Sequence, residues 1–171
     1  MERRASIELR VKGRRLEGHA ALFDVATRIA DFEEIIRPGA FAASLRENRD
    51  VLALADHDPR SVLARTKSGT LRLSEDSRGL AFDLDVPDTS VGRDMLALAE
   101  RGDIGGASFG FTVAKDGERW QGNRRELRAV NLAEISVVSA HPAYEGTSVQ
   151  ARAKGDPSLR LARARRWLDT L

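Results

Sequence analysis

Short runs of alternating polarity dominate the first half of the chain. In SIELRV (6–11), Ile7, Leu9 and Val11 fall on one face. That is the pattern of a half-buried strand, whose successive side chains point to opposite sides. LEGHAALF (16–23) predicts a second strand, reached through a turn at Gly13, and EEIIRPG (33–39) a short one ending at Pro38-Gly39. AFAASLREN (40–48) has helical spacing, with Phe41 and Leu45 four apart, and Pro38 suits a helix start. VLALADHD (51–58) is nearly continuous apolar and then abruptly charged, like a buried strand emerging at the edge of a core. Pro59 is expected to stop it there.

SVLARTKSG, TLRLSEDS and GLAFDLDVP (61–87) predict three more strands, at the spacing of an all-β barrel or meander. DTSVGRDMLALAERGD (88–103) is the clearest helix: Asp88 or Ser90 can cap it, Val91, Met95, Leu98 and Ala99 form its apolar stripe, and Gly102 ends it. GASFGFTVA (106–114), a hairpin through Lys115-Asp116-Gly117, RRELRAV (124–130) and LAEISVVS (132–139) follow. The expected fold is mainly β (α+β), a β-barrel or β-sandwich with two or three helices. Strands do not alternate regularly with helices, which argues against a doubly wound sheet. AKGDPSLRLARARRWLDTL begins as a Gly/Pro linker and ends as a short basic helix, so the chain divides into a domain of 1–150 and a C-terminal element of 151–171.

Composition narrows the function classes. A chain of 171 residues suits one domain, and 42% hydrophobic residues is too many for a disordered one. No apolar run approaches the roughly 18 residues of a membrane-spanning helix. The start, MERRASIELR, lacks the apolar stretch of a secretory signal. With no cysteine, disulfides, thiolate metal sites and a cysteine nucleophile are excluded, and a cytosol-like compartment is expected. No HExxH, Walker or dinucleotide motif is present, so no metal and no cofactor is expected. The net charge of +2 hides an uneven distribution. Residues 1–15 and 151–171 each carry six basic and two acidic side chains, whereas 16–150 carry 16 basic and 22 acidic. With so few aromatics and an acidic body, nucleic-acid binding is not expected.

Three positions stand out for chemistry. His57 lies between Asp56 and Asp58 where a buried strand meets solvent. Flanking carboxylates favour imidazolium, which suits a general base, although HDPR also reads as a plain surface turn. Ser108 lies in GGASFGF, where glycines leave room for another backbone and can free N–H groups for an oxyanion; the same residues also serve as a helix-to-strand connection. A serine nucleophile needs a base, and a histidine would supply it. Glu134 places a carboxylate in the apolar run LAEISVVS, on a face shared with Leu132, Ser136 and Val138, where an imidazole could satisfy it. His141, in SAHPAYEG, is a rival third member. Gly106-Ala107-Ser108-Phe109-Gly110 also fits G-x-S-x-G, but that motif needs a strand before the serine and a helix after it, the reverse of the order here.

The segments GHAALFD, EEIIRPGAF, the strand ending in His57-Asp58, the stretch from SVLART to FDLDVPDT, GASFGF and LAEISVVSAHPAY together resemble the tailed-phage (caudovirus) prohead serine protease family. The resemblance covers about 15–150, in the family's order, and the family is related in fold to the herpesvirus assembly proteases. It implies a closed or nearly closed antiparallel β-barrel ringed by a few helices. It also implies a serine endopeptidase of capsid maturation, acting on the major capsid protein or scaffold inside the assembling prohead in the host cytoplasm. His57 matches the family's histidine, Ser108 its nucleophile and Glu134 its acidic third member; the herpesvirus relatives use a second histidine there, which keeps His141 as the alternative. Self-cleavage and a homodimer are further expectations by analogy. The non-enzymatic alternative is an inactive homologue acting as a scaffold component, with the basic tail docking on an acidic partner.

Overall fold

The computed structural model describes residues 1–6 and 8–139. Its strands form three sheets. The first contains, in spatial order, β1 (Glu2–Ser6), β10 (Gly106–Val113), β13 (Val130–Val138), β6 (Leu52–Ala55) and β7 (Asp58–Arg65). The second is β2 (Glu8–Lys12), β3 (Arg15–Leu22), β9 (Gly79–Asp85) and β8 (Leu71–Glu75). The third is β11 (Glu118–Gln121), β12 (Arg124–Leu127), β5 (Phe32–Ile36) and β4 (Thr27–Ile29). Two helices, α1 (Ala42–Arg46) and α2 (Ser90–Arg101), complete the described chain.

The mainly β character and most strand positions agree with the apolar alternation. The expected closed antiparallel ring differs from what the hydrogen bonding shows: the described strands make three separate sheets, and two ladders, β13 with β6 and β12 with β5, are parallel. In β6, Ala53, Leu54 and Ala55 are all buried. A strand covered on both faces suits the interior of a sheet, beside β13. One apolar core joins the layers, with Leu80, Phe82 and Leu84 from the second sheet meeting Phe109, Phe111 and Val137 from the first. Phe41 packs edge-on against Phe109 at 5.4 Å between ring centroids, a favoured aromatic geometry.

Several local expectations are corrected. Thr89, not Asp88 or Ser90, caps α2: its hydroxyl accepts from Gly92 N at 3.1 Å. Gly102 ends that helix at φ +77°, a left-handed conformation glycine adopts without strain. Pro59 lies inside β7 rather than ending a strand, which an edge strand tolerates because one row of its N–H groups has no partner. The turn at 115–117 does not pair β10 with β11; it passes the chain from the first sheet to the third, where β11 pairs with β12 through Gly122-Asn123. Expectations for Ile7, His141 and the element 151–171 lie outside the described residues.

A strand that apolar alternation does not signal is β1, with sequence ERRAS. Ions rather than apolar side chains anchor it. Arg4 is buried, donates to Glu34 at 2.8 Å and lies over the Phe111 ring. Arg125 reaches the same carboxylate at 3.0 Å, as well as Glu2 at 2.9 Å and Glu118 at 2.6 Å. Burial works against the Glu2 charge, but the Arg125 hydrogen bond and charge outweigh it and hold that carboxyl below its usual range.

Candidate active site

The site is built on the outer face of the central sheet. Ser108 on β10 stands directly opposite Ser136 on β13, and Gly110 opposite Glu134. The next rung pairs Phe111 with Leu132, so Ala133 is bulged out of register. A bulge turns the strand over. Before it, Val130 and Leu132 face the core; after it, Ile135 and Val137 do. Glu134 and Ser136 are thereby delivered to the face of Ser108, and Leu132 to the opposite one, which corrects the expectation that Leu132 shares the Glu134 face. The Leu132 N–H beside the bulge donates to the buried Ser44 hydroxyl of α1 at 2.9 Å, so the helix supports the irregularity.

His57 comes from the tip of the β6–β7 hairpin. Ala55 pairs with Asp58, leaving Asp56 and His57 as a two-residue loop with φ of +48° and +61°. Positive φ at both central residues is the type I′ turn, which follows the natural strand twist but disfavours residues with a Cβ. Asp56 holds the turn in place. Its N–H donates to Val137 O at 2.9 Å, and its carboxylate accepts from Ser139 N at 2.7 Å and from Ser139 Oγ at 2.8 Å. Thus clamped to the end of β13, the hairpin folds His57 back over the sheet, where Nδ1 meets Glu134 Oε1 at 2.8 Å.

Glu134 is buried, and it also accepts from Arg3 Nε on β1 at 3.1 Å, at the same oxygen. Its carboxylate fits because Gly110, across the ladder, has no side chain. A Cβ there would lie 2.7 Å from Glu134 Cγ and 2.9 Å from Oε1. With Nδ1 engaged by a carboxylate, the Nε2 of His57 is the nitrogen left to take a proton. Ser108 is buried one same-face rung along, about 7 Å by strand geometry. Among the described residues its hydroxyl is not hydrogen-bonded to His57. The backbone of 107–110 is paired with β1 on one side and β13 on the other, and at Gly110 the missing side chain makes room for Glu134.

The aspartates beside His57 have other partners than the imidazole. Asp56 binds Ser139, while Asp58 accepts from Arg60 N at 3.0 Å and Ser61 Oγ at 2.9 Å. The Arg60 backbone bond, with help from Ser61, keeps the Asp58 carboxyl below its ordinary range. Charge from the flanking residues was the expectation; the carboxylate that meets the ring is Glu134. His19, on β3, meets Asp76 at 2.8 Å, and that bond leads the interactions holding the Asp76 carboxyl down at about 2. Arg3 is the site residue that the sequence does not single out; Asp56 stands out there only for its charge and Gly110 only for the room it leaves, not for clamping the turn and admitting the Glu134 carboxylate.

Among the described residues, no group of three or more His, Asp or Glu side chains could hold a metal ion. No described helix is long and apolar enough to cross a membrane. No curated protein and no solved structure is significantly similar to the chain. The family model for the caudovirus prohead serine protease matches residues 3–159, nearly the whole sequence. A serine on a strand beside a histidine–carboxylate pair is what such an activity requires of a site. The chain therefore belongs to the caudovirus prohead serine protease family.

Proposed function

We propose that the chain is a serine endopeptidase whose nucleophile is Ser108, whose general base is His57 and whose orienting carboxylate is Glu134. The observation that carries this reading is the 2.8 Å contact between His57 Nδ1 and Glu134, on the sheet face that also bears Ser108. Ser108 Oγ attacks a peptide carbonyl while His57 Nε2 takes its proton, giving a tetrahedral adduct. His57 then delivers that proton to the leaving amine, and water repeats the sequence to free the acid. Glu134 keeps Nδ1 protonated and offsets the imidazolium charge, and Arg3 donates to the same carboxylate oxygen.

The substrates that the family points to are the major capsid protein and its scaffold, cut within the assembling prohead in the host cell. Self-cleavage and homodimerisation belong to the same reading, as does a catalytic domain of 1–150 with a separable tether at 151–171. Co-expression with the capsid protein, followed by mass spectrometry of all products, tests it. Ser108→Ala is expected to abolish processing while leaving the fold intact, and normal cleavage by that variant would refute the assignment. Glu134→Gln and His141→Ala decide the third position. Loss of activity only in His141→Ala would displace Glu134.

A further inference from the structure

One buried nucleophilic group on this face is not used by the mechanism above. Ser136 is fully buried, and its Oγ has no hydrogen-bond partner among the described residues. It lies directly across the ladder from Ser108 and two residues beyond Glu134 on the same face. The His57 hairpin is pinned near Val137 and Ser139 yet reaches back to Glu134, so the imidazole passes over this part of β13. A polar group withdrawn from water without a partner is normally selected against. Replacing it with alanine would cost little, and the strand would accept it.

We propose that Ser136 is a positioning residue whose hydroxyl hydrogen-bonds to Ser108 Oγ and holds it in the rotamer that faces His57. Directly opposed residues of an antiparallel pair have Cβ atoms about 5 Å apart, so rotation about χ1 brings the two hydroxyls within hydrogen-bonding reach. Ser136 then accepts from or donates to Ser108 in the resting enzyme. It releases Ser108 when His57 Nε2 draws the proton. The inference rests on the Ser108–His57–Glu134 reading and adds a fourth side chain to it.

The test compares the full-length protein with Ser136→Ala, following peptide cleavage, labelling by a fluorophosphonate serine probe with the labelled residue mapped, and thermal unfolding. The expected variant melts at nearly the same temperature, because one hydroxyl–hydroxyl bond makes only a small net contribution to stability. Its kcat and labelling rate at Ser108 fall roughly tenfold, with KM unchanged. Ser136→Thr, which keeps the hydroxyl, is expected to recover most of the rate. Wild-type turnover and labelling in Ser136→Ala would overturn the proposal. So would a loss of activity that tracks a lowered melting temperature, which marks a structural role, or a probe attached to Ser136 itself. A wild-type protein that takes no label, together with a Ser108→Ala variant that still cleaves, would overturn the Ser108 reading and this inference with it.

Discussion

Gly110 illustrates how much one missing methyl group can decide. Glu134 occupies the space a Cβ would take, 2.7 Å from its Cγ, and only there does the carboxylate reach both His57 and Arg3. Gly110→Ala must move the carboxylate, because the alternative is to separate two paired strands. Its kcat is expected to fall roughly ten- to a hundredfold, with KM nearly unchanged, since a small misplacement of a catalytic group costs about that much. Wild-type turnover in Gly110→Ala would mean that the carboxylate does not orient the imidazole. As candidates, the three residues were legible in the sequence for different reasons: His57 where an apolar run turns charged, Ser108 among glycines, and Glu134 as a carboxylate in an apolar run. Their mutual placement was not. It depends on the bulge at Ala133, which shifts the face of β13 by one residue and leaves no mark in the alternation of LAEISVVS.

At the scale of elements, the hairpin that carries His57 is the most constrained piece. Two consecutive residues with positive φ and a Cβ are costly, on the order of 1–3 kcal/mol each, and persist only where other contacts hold them. Here those contacts are the three hydrogen bonds of Asp56 to Val137 and Ser139. Asp56→Ala is expected to free the tip, lowering kcat more than it raises KM, whereas Asp56→Asn, which can still accept the Ser139 N–H and tolerates positive φ, keeps most activity. Steady-state kinetics on both variants checks this; equal loss in the two would place the requirement on charge rather than on the turn. Strands such as β3, β9 and β10 were readable because burial alternates along them or their apolar runs are long. β1 was not, because its five residues include Glu2, Arg3 and Arg4 and its anchoring partner, Glu34, lies far along the chain.

Across the whole molecule, an ion cluster of buried Arg4, Glu34 and Arg125 with half-buried Glu2 ties β1, at the edge of the central sheet, to β5 and β12 of the third sheet. Glu34→Ala leaves two buried guanidinium groups short of a carboxylate. It is expected to lower stability by about 3–5 kcal/mol, read as a shifted midpoint in urea unfolding. An unchanged midpoint would show that water or Glu2 replaces Glu34 without cost. The parallel pairings and the split into three sheets were beyond the sequence, because they depend on which strands lie side by side rather than on what each strand buries.

The two neighbours of β10 set the direction from which a peptide can come. The main chain around Ser108 is already hydrogen-bonded to Ser6–Arg4 on one flank and to Val137–Ile135 on the other. A peptide arriving at that hydroxyl finds no open edge to extend. On the reading proposed above, a peptide reaches Ser108 over the sheet face that carries His57 and cannot pair with β10 itself.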